Sequence, residues 1–246
     1  MDHVAIKHAF EEDGFVKISN FLSKKQSQEL QSKLDQFIET VVPTMPKEHV
    51  FFEDQDNKST LKQLFHLSKY DTYFEQLVQG SEFEKLAEIL LGEKMAKRQV
   101  EYFNKPPGVG KATPPHQDNY YFKLSPPQAL TFWIPLENVN EENGCLRYLK
   151  KSHLNGMRSH GKTTTLGFSQ GIVDYGTGDD PSNEVAMPVN VGDILVHHSM
   201  TVHRADQNKS TTRSRRVLGL VYFGETAIED TITKEAYQKT LFEKEK

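Results

Sequence analysis

The stretch TPPHQDNYYF, residues 113–122, contains an imidazole and a carboxylate separated by one residue, at His116 and Asp118. If both lie on or next to a strand, the two-residue period of side chains places them on one face. That arrangement lets them bind a metal ion together. One His-x-Asp is readily produced by chance in a chain with 10 histidines, so a metal site also requires a third ligand.

The segment GDILVHHSMTVHRADQ supplies three candidates for that ligand, His197, His198 and His203. Two imidazoles and one carboxylate on a triangular face leave coordination positions open, as in non-haem Fe(II) oxygenases. A 2-oxo-acid co-substrate also needs a cation, and the planar fork of arginine binds a carboxylate through two parallel hydrogen bonds. Arg215 and Arg216 begin the apolar run RRVLGLVYF, and strand alternation makes one of them face inward.

The first ninety or so residues are mainly helical in pattern. Ser23 and Gln26 have the spacing of a capping box, after which apolar residues follow helical spacing. Ser81 begins a second predicted helix, and Gly92 is a natural end for it. Residues 14–19 alternate like a strand, whereas the segment 43–72 has no clear pattern.

From about residue 97 the sequence changes to short runs rich in β-branched and aromatic residues, separated by turn residues. This pattern predicts a β-barrel or jelly roll with the N-terminal helices packed on it. We expect one domain over 1–246, with a helix-rich region over 1–95, barrel strands over about 96–225 and a C-terminal tail over 226–246. The Gly/Ser/Thr/Asp-rich segment 155–187 is typical of a lid, a binding loop or disorder.

Composition narrows the classes of function. A net charge of −4 argues against a general nucleic-acid binder or a binder of anionic membranes. Cys145 is the only cysteine, so an intrachain disulfide and a thiolate zinc site are excluded. No long apolar run or apolar leader is present, and we expect a cytoplasmic protein that acts on a small molecule. No pattern indicates an oligomeric state.

Three blocks of the sequence together are similar to the phytanoyl-CoA dioxygenase family of Fe(II)/2-oxoglutarate-dependent oxygenases. The opening FEEDGFVKISNFLS resembles the first block of the family. The central block of the family resembles three segments here, NKPPG, HQD and TFWIPLENVNEENGCLRYLKKSH. Its closing block resembles VGDILVHHSMTVHRADQNKSTTRSRR. The resemblance covers nearly the whole chain. It implies a double-stranded β-helix of the jelly-roll or cupin type. The implied cofactors are Fe(II), 2-oxoglutarate and O2, with ascorbate as a candidate reductant.

The resemblance implies His116, Asp118 and His203 as the metal ligands, because Asn208 follows His203 at the family's interval. The family's carboxylate-binding arginine lies eleven residues beyond the distal histidine, where this chain has a serine. Alignment of the following strand selects Arg215, with Arg213 and Arg216 as alternatives. The small hydroxyl residue that the family has two positions after the distal histidine is Ala205 here, so one co-substrate hydrogen bond is either missing or supplied by another residue.

Further site residues follow from the same resemblance. Those expected around the co-substrate are Trp133, Tyr102 and Thr131, and those expected around the substrate are Tyr121, Lys105 and His198. The implied reaction hydroxylates an aliphatic C–H bond of a small metabolite and converts 2-oxoglutarate and O2 to succinate and CO2. Asp118 favours hydroxylation, since halogenating relatives have a small residue there. Acyl-CoA, compatible-solute and phosphonate substrates stay open, as does a non-catalytic or non-oxidative metal-binding β-barrel or interaction module.

Overall fold

The computed structural model describes residues 1–165 and 168–234. The helices are α1 His3–Asp13, α2 Lys24–Thr40, α3 Thr72–Val78, α4 Glu82–Leu91, α5 Asn119–Phe122 and α6 Asp180–Asn183. The strands are β1 Phe15–Ile18, β2 Val50–Phe52, β3 Leu61–Leu64, β4 Met95–Lys105, β5 Thr113–His116, β6 Leu124–Ser125, β7 Ala129–Pro135, β8 Leu146–Leu149, β9 His160–Thr165, β10 Phe168–Ile172, β11 Glu184–Met187, β12 Ile194–His198, β13 His203–Ala205, β14 Arg215–Gly224 and β15 Ile228–Glu229. Of the predicted tail, residues 235–246 lie outside the described residues.

Two antiparallel sheets form the centre of the molecule. The major sheet has the strand order β1-β12-β7-β14-β4-β3-β2, and the minor sheet has the order β11-β8-β13-β5. A hydrophobic cluster between them includes Trp133 and Leu195 from the major sheet and Leu146 and Tyr148 from the minor sheet. The predicted fold class, mainly β with flanking helices and a jelly-roll arrangement, is confirmed.

The outer face of the major sheet is covered by the N-terminal helices. Leu34 and Phe37 of α2 and Leu86 of α4 belong to the same buried cluster as Phe132 and Leu220 of the sheet. Alternate residues of β7 and β14 therefore face either the helices or the space between the sheets. Among the described residues, no helix is both long enough and apolar enough to cross a membrane.

The two predicted helix starts are confirmed. Ser23 and Gln26 form the reciprocal capping box of α2. Ser81 accepts a hydrogen bond from the Glu84 backbone N–H, and α4 ends at Gly92 with a left-handed φ of 75°. The Glu84 carboxylate accepts from the backbone N–H of Gly80, so this second cap is not a reciprocal box.

The segment 43–72, which has no clear pattern in the sequence, contributes strands as well as turns. The segment 43–72 contains short 3-10 turns together with β2 and β3, which form one edge of the major sheet. These strands are short and pair with partners distant in sequence, so local spacing carries little sign of them. The segment 155–187 contains β9, β10, α6 and β11 instead of one long irregular connection, with residues 166 and 167 outside the description.

Candidate metal centre

His116, Asp118 and His203 meet between the two sheets. His203 at the start of β13 is the direct register partner of His116 at the end of β5. One ligand atom from each of the three residues lies within 4.8 Å of the others. Asp118 Oδ1 is 3.5 Å from Nε2 of both histidines.

The predicted reason for this convergence was wrong in one respect. Strand β5 ends at His116, and Asp118 has helical dihedral angles, φ −56° and ψ −36°, directly before α5. A tight change from strand to helix therefore turns the carboxylate back towards the imidazole. The two side chains do not share one face of a continuous strand.

Both histidines are oriented as metal ligands require. Nδ1 of His116 is 2.8 Å from the carbonyl oxygen of Pro114, and Nδ1 of His203 is 3.0 Å from that of Thr201. Because a carbonyl only accepts, each Nδ1 carries the hydrogen and each Nε2 lone pair is available to a metal. Burial, with His116 and His197 nearby, lowers the pKa of His203 well below its ordinary value, and the neutral form is the one that binds metals.

The carboxylate of Asp118 is held so that one oxygen stays available. Its Oδ2 accepts a hydrogen bond of 2.9 Å from the Thr131 hydroxyl and lies 3.1 Å from Nε2 of His197. Burial acts to raise the pKa of Asp118, but His203, His116 and His197 hold it well below the usual value. Two imidazoles and one ionised carboxylate fit Fe(II) through Nε2 of each histidine and Oδ1 of Asp118.

His197 was one of the three candidates for the third ligand and was not selected, and the structure places it beside Asp118 in the centre. It aligns with Thr131 in the sheet, and its Nδ1 is 2.8 Å from the Tyr148 hydroxyl. His198, predicted to contact substrate, points to the opposite face, where its ring neighbours are Phe10 and His153. The two neighbouring histidines face opposite sides because side chains alternate along β12. The pairing of β12 with β7 determines that His197 is the one that faces the metal centre.

Arg215 lies in the same pocket as the metal centre. It is 4% exposed, pairs with Lys105 across β14 and β4, and lies 5.5 Å from the centre of the Trp133 ring. No hydrogen-bond partner for its Nε occurs among the described residues. The alternatives are engaged elsewhere: Arg213 pairs with Glu142, and Arg216 pairs with Glu137 and Asp35.

The pocket brings together most of the predicted residues. Beside the three candidate ligands and Arg215, the lining includes Trp133, Thr131, Tyr121 and Lys105. Tyr102 does not line it, because it belongs to the cluster under the helices and Leu218 is its register partner. This position does not fit the predicted co-substrate role, since the adjacent residues Glu101 and Phe103 occupy the inner face of β4.

Several lining residues were not predicted. Glu53, Lys62 and Gln63 come from the unassigned segment 43–72, and no local motif marks them. Glu101 lies in β4 between Val100 and Tyr102, in a strand that carries several other polar residues, so the sequence alone did not single it out.

Comparison with known proteins agrees with this geometry. Residues 10–217 match the family described as phytanoyl-CoA dioxygenase (PhyH). Phytanoyl-CoA dioxygenase 1 of Oryza sativa subsp. japonica is 28% identical over 217 residues, which cover 85% of this chain and 75% of that protein.

Solved structures show the same similarity. The non-heme alpha ketoglutarate dependent carbocyclase SnoK from nogalamycin biosynthesis is 26% identical with a TM-score of 0.71, covering 92% of this chain and 85% of that chain. EvdO2 of Micromonospora carbonacea var. aurantiaca, solved with 2-oxoglutarate, shares the fold at 24% identity and a TM-score of 0.72, with 93% of each chain covered. The chain therefore belongs to the phytanoyl-CoA dioxygenase family of Fe(II)/2-oxoglutarate-dependent oxygenases, with iron, 2-oxoglutarate and O2 as its cofactors.

Proposed function

We propose that this protein hydroxylates an aliphatic C–H bond of a small metabolite while 2-oxoglutarate and O2 are converted to succinate and CO2. The observation that carries the proposal is a single pocket with both a His-Asp-His cluster and a buried arginine. Asp118 as the third ligand favours hydroxylation over halogenation. The packing of the N-terminal helices on the major sheet supports one oxygenase domain over 1–246.

The metal ligands and their supports have separate tasks. Bound iron supplies the activation of O2 and the oxidising chemistry. His116 and His203 would hold it through Nε2, and Asp118 through Oδ1. Thr131 and His197 keep Oδ2 occupied, so that the carboxylate presents one oxygen to the metal and cannot rotate freely.

The opposite end of the pocket would bind the co-substrate. Arg215 is the residue proposed to hold its far carboxylate, through two parallel hydrogen bonds. Burial lowers the pKa of Arg215 to about 10, so it stays charged at neutral pH. The face of Trp133 stabilises the guanidinium as a cation–π partner. Leu146 and Val221 supply apolar wall, which limits the entry of water.

The alternatives differ in what they require of Arg215. A metal-binding barrel without 2-oxoglutarate, or an interaction module, has no use for a buried arginine facing the metal. The inward position of Arg215 therefore supports the oxygenase. The similarity to a carbocyclase supports a second outcome of C–H oxidation, ring closure, in which the product gains no oxygen.

The test is a turnover assay on the iron-loaded protein with 2-oxoglutarate, ascorbate and a panel of metabolites, using isotopically labelled O2. We expect substrate-dependent succinate and a product that contains one labelled oxygen atom. Ring closure would give a product that lacks two hydrogens and carries no label. Asp118→Ala should abolish both signals, while Arg213→Met, a surface control, should leave them intact. Succinate formation that no metabolite stimulates would contradict the proposed hydroxylation.

A further inference from the structure

The pocket wall carries a positive end that matches the co-substrate. Arg215 and Lys105 face each other across β14 and β4. Nζ of Lys105 donates to the carbonyl of Lys111 and to the Thr113 hydroxyl. Burial, followed by the charge of Arg215, lowers the pKa of Lys105 well below its ordinary value. A bound dianion such as 2-oxoglutarate would favour the charged form of Lys105 beside Arg215.

Two other charged wall residues neutralise each other. Lys62 Nζ is 3.0 Å from Glu53 Oε1, and both side chains are largely buried. Neither therefore offers a net charge to a ligand. Lys111 is exposed to solvent, where its charge is screened.

Glu101 is another acidic residue of the pocket wall. It lies on the inner face of β4 opposite Gly219, and its side chain lines the pocket. Within residues 1–165 and 168–234, no hydrogen bond or ion pair engages its carboxylate. Lys105 is four positions further along the chain, about 13 Å along an extended strand. The negative group is thus well separated from the positive end.

Aromatic side chains also line this pocket. Phe103 is the next inner-face residue of β4, and a Cβ on Gly219 would come within 3.1 Å of its ring. Phe65, Tyr121 and Phe122 line the same pocket. A carboxylate among aromatic faces is a combination that attracts organic cations, because the rings add cation–π attraction to the ion pair.

We propose that the substrate carries a positively charged amino or quaternary ammonium group, and that Glu101 is the residue that binds this group. A carboxylate without a partner in a desolvated wall is unfavourable, and a ligand cation would compensate it. The proposal names the substrate class of the oxygenase proposed above and rests on that function.

The protonation of Glu101 agrees with this assignment. Burial, and to a smaller extent the charge of Asp118, raises its pKa to about 8, while Lys234 acts in the opposite direction. Lys234 is itself paired with Glu229. Because a bound cation favours the ionised form, cation binding to protonated Glu101 must release a proton. Affinity should therefore rise with pH, by at most about tenfold per pH unit, until Glu101 is fully ionised.

The experiment compares matched cationic and neutral ligands by calorimetry on Zn(II)-loaded protein. The probe pairs are hexylammonium with 1-hexanol, and choline with 3,3-dimethylbutan-1-ol. We expect each cation to bind wild type about tenfold or more tightly than its neutral partner. Glu101→Gln should abolish that preference and leave alcohol binding unchanged, and Glu101→Asp should retain some of it. Glu39→Gln on the exposed face of α2 is the charge control.

Two results would overturn the assignment. One is equal affinity of wild type for the cation and its neutral partner. The other is a cation preference that survives in Glu101→Gln with unchanged Zn(II) affinity. Binding of 2-oxoglutarate is measured separately on the same samples. Its absence would refute the oxygenase function, whereas the cation preference is scored without the co-substrate, so the two failures are distinguishable.

Discussion

Each candidate metal ligand is oriented by a contact outside the cluster. Backbone carbonyls fix the tautomers of His116 and His203, while Thr131 and His197 hold Asp118. Such outer contacts set the direction of the ligand lone pairs before the metal binds, and they contribute strongly to metal affinity. The geometry of the centre therefore depends on residues that do not touch the metal.

The first prediction concerns His197. His197→Phe preserves the ring packing against Tyr148 but removes the hydrogen bond to Asp118 Oδ2, so we expect Fe(II) affinity to fall about 10- to 100-fold. His197→Gln, which retains an N–H donor, should restore some of it. The measurement is an anaerobic Fe(II) titration.

His198→Phe is the matched control, because His198 faces the helices. It should leave Fe(II) affinity unchanged even if it alters thermal stability. Equal losses in the two variants would show that His197 acts only through packing.

The second prediction concerns Arg215. Arg215→Met should raise the dissociation constant of 2-oxoglutarate by at least about 10- to 100-fold, because even one hydrogen bond to a charged group contributes about 1.5–3 kcal/mol. Equilibrium binding to the metal-loaded protein measures this change. Arg213→Met removes a surface ion pair with Glu142 and should have no effect. If Arg213→Met weakens binding more than Arg215→Met does, the assignment of the anchor is wrong.

The identities of the site residues were only partly predictable. The triad and Arg215 belong to motifs that are recognisable along the chain, and the structure brings them together. The choice between His197 and His198, and between Tyr102 and Glu101, depends on which alternate residues of β12 and β4 face inward. Pairing with β7 and β14 determines which alternate residues face inward. The sequence of a single strand does not contain that information.

At the level of elements, the caps of α2 and α4 were visible in the sequence because they depend on residues three positions apart. Strands β2 and β3 could not be recognised in the sequence, because short edge strands are stabilised by partners that are distant along the chain. The Asp118 turn was also missed, since His-Gln-Asp is compatible with either a strand or a strand end. Local chemistry thus predicts helix ends better than sheet edges.

The third prediction tests a cap. Ser23→Ala removes the side chain that accepts from the Gln26 backbone N–H, so we expect a loss of about 1 kcal/mol in the free energy of unfolding. Chemical denaturation measures it. Ser32→Ala, on the exposed face of the same helix, should be neutral or slightly stabilising. A cost at Ser32 as large as that at Ser23 would argue against the cap.

At the scale of the whole molecule, the fold places opposite charges at separate positions in one pocket. Arg215 and Lys105 lie at the positive end, and Glu101 lies further along β4. This separation carries a cost, because buried like and unpaired charges destabilise the empty protein. The stability of the protein should therefore respond to pH through these groups.

The fourth prediction is that pH dependence. Burial raises the pKa of Glu101 from 4.5 to about 8, so the folded state binds this proton more tightly than the unfolded state. The resulting stability is complete below about pH 4.5 and is lost as pH rises towards 8. We expect metal-free Glu101→Gln to lose less stability than wild type over this window, in denaturation at several pH values. Parallel curves for the two proteins would contradict the prediction.

The most direct test of the iron and 2-oxoglutarate site is anaerobic visible absorption of the metal-free protein titrated first with Fe(II) and then with 2-oxoglutarate. Chelation of Fe(II) by a 2-oxo acid gives a weak charge-transfer band. We predict that the band appears only when both are present, disappears in Asp118→Ala, and needs far more co-substrate in Arg215→Met. No band at saturating 2-oxoglutarate in wild type would mean that the chain has the fold of the family without its co-substrate chemistry.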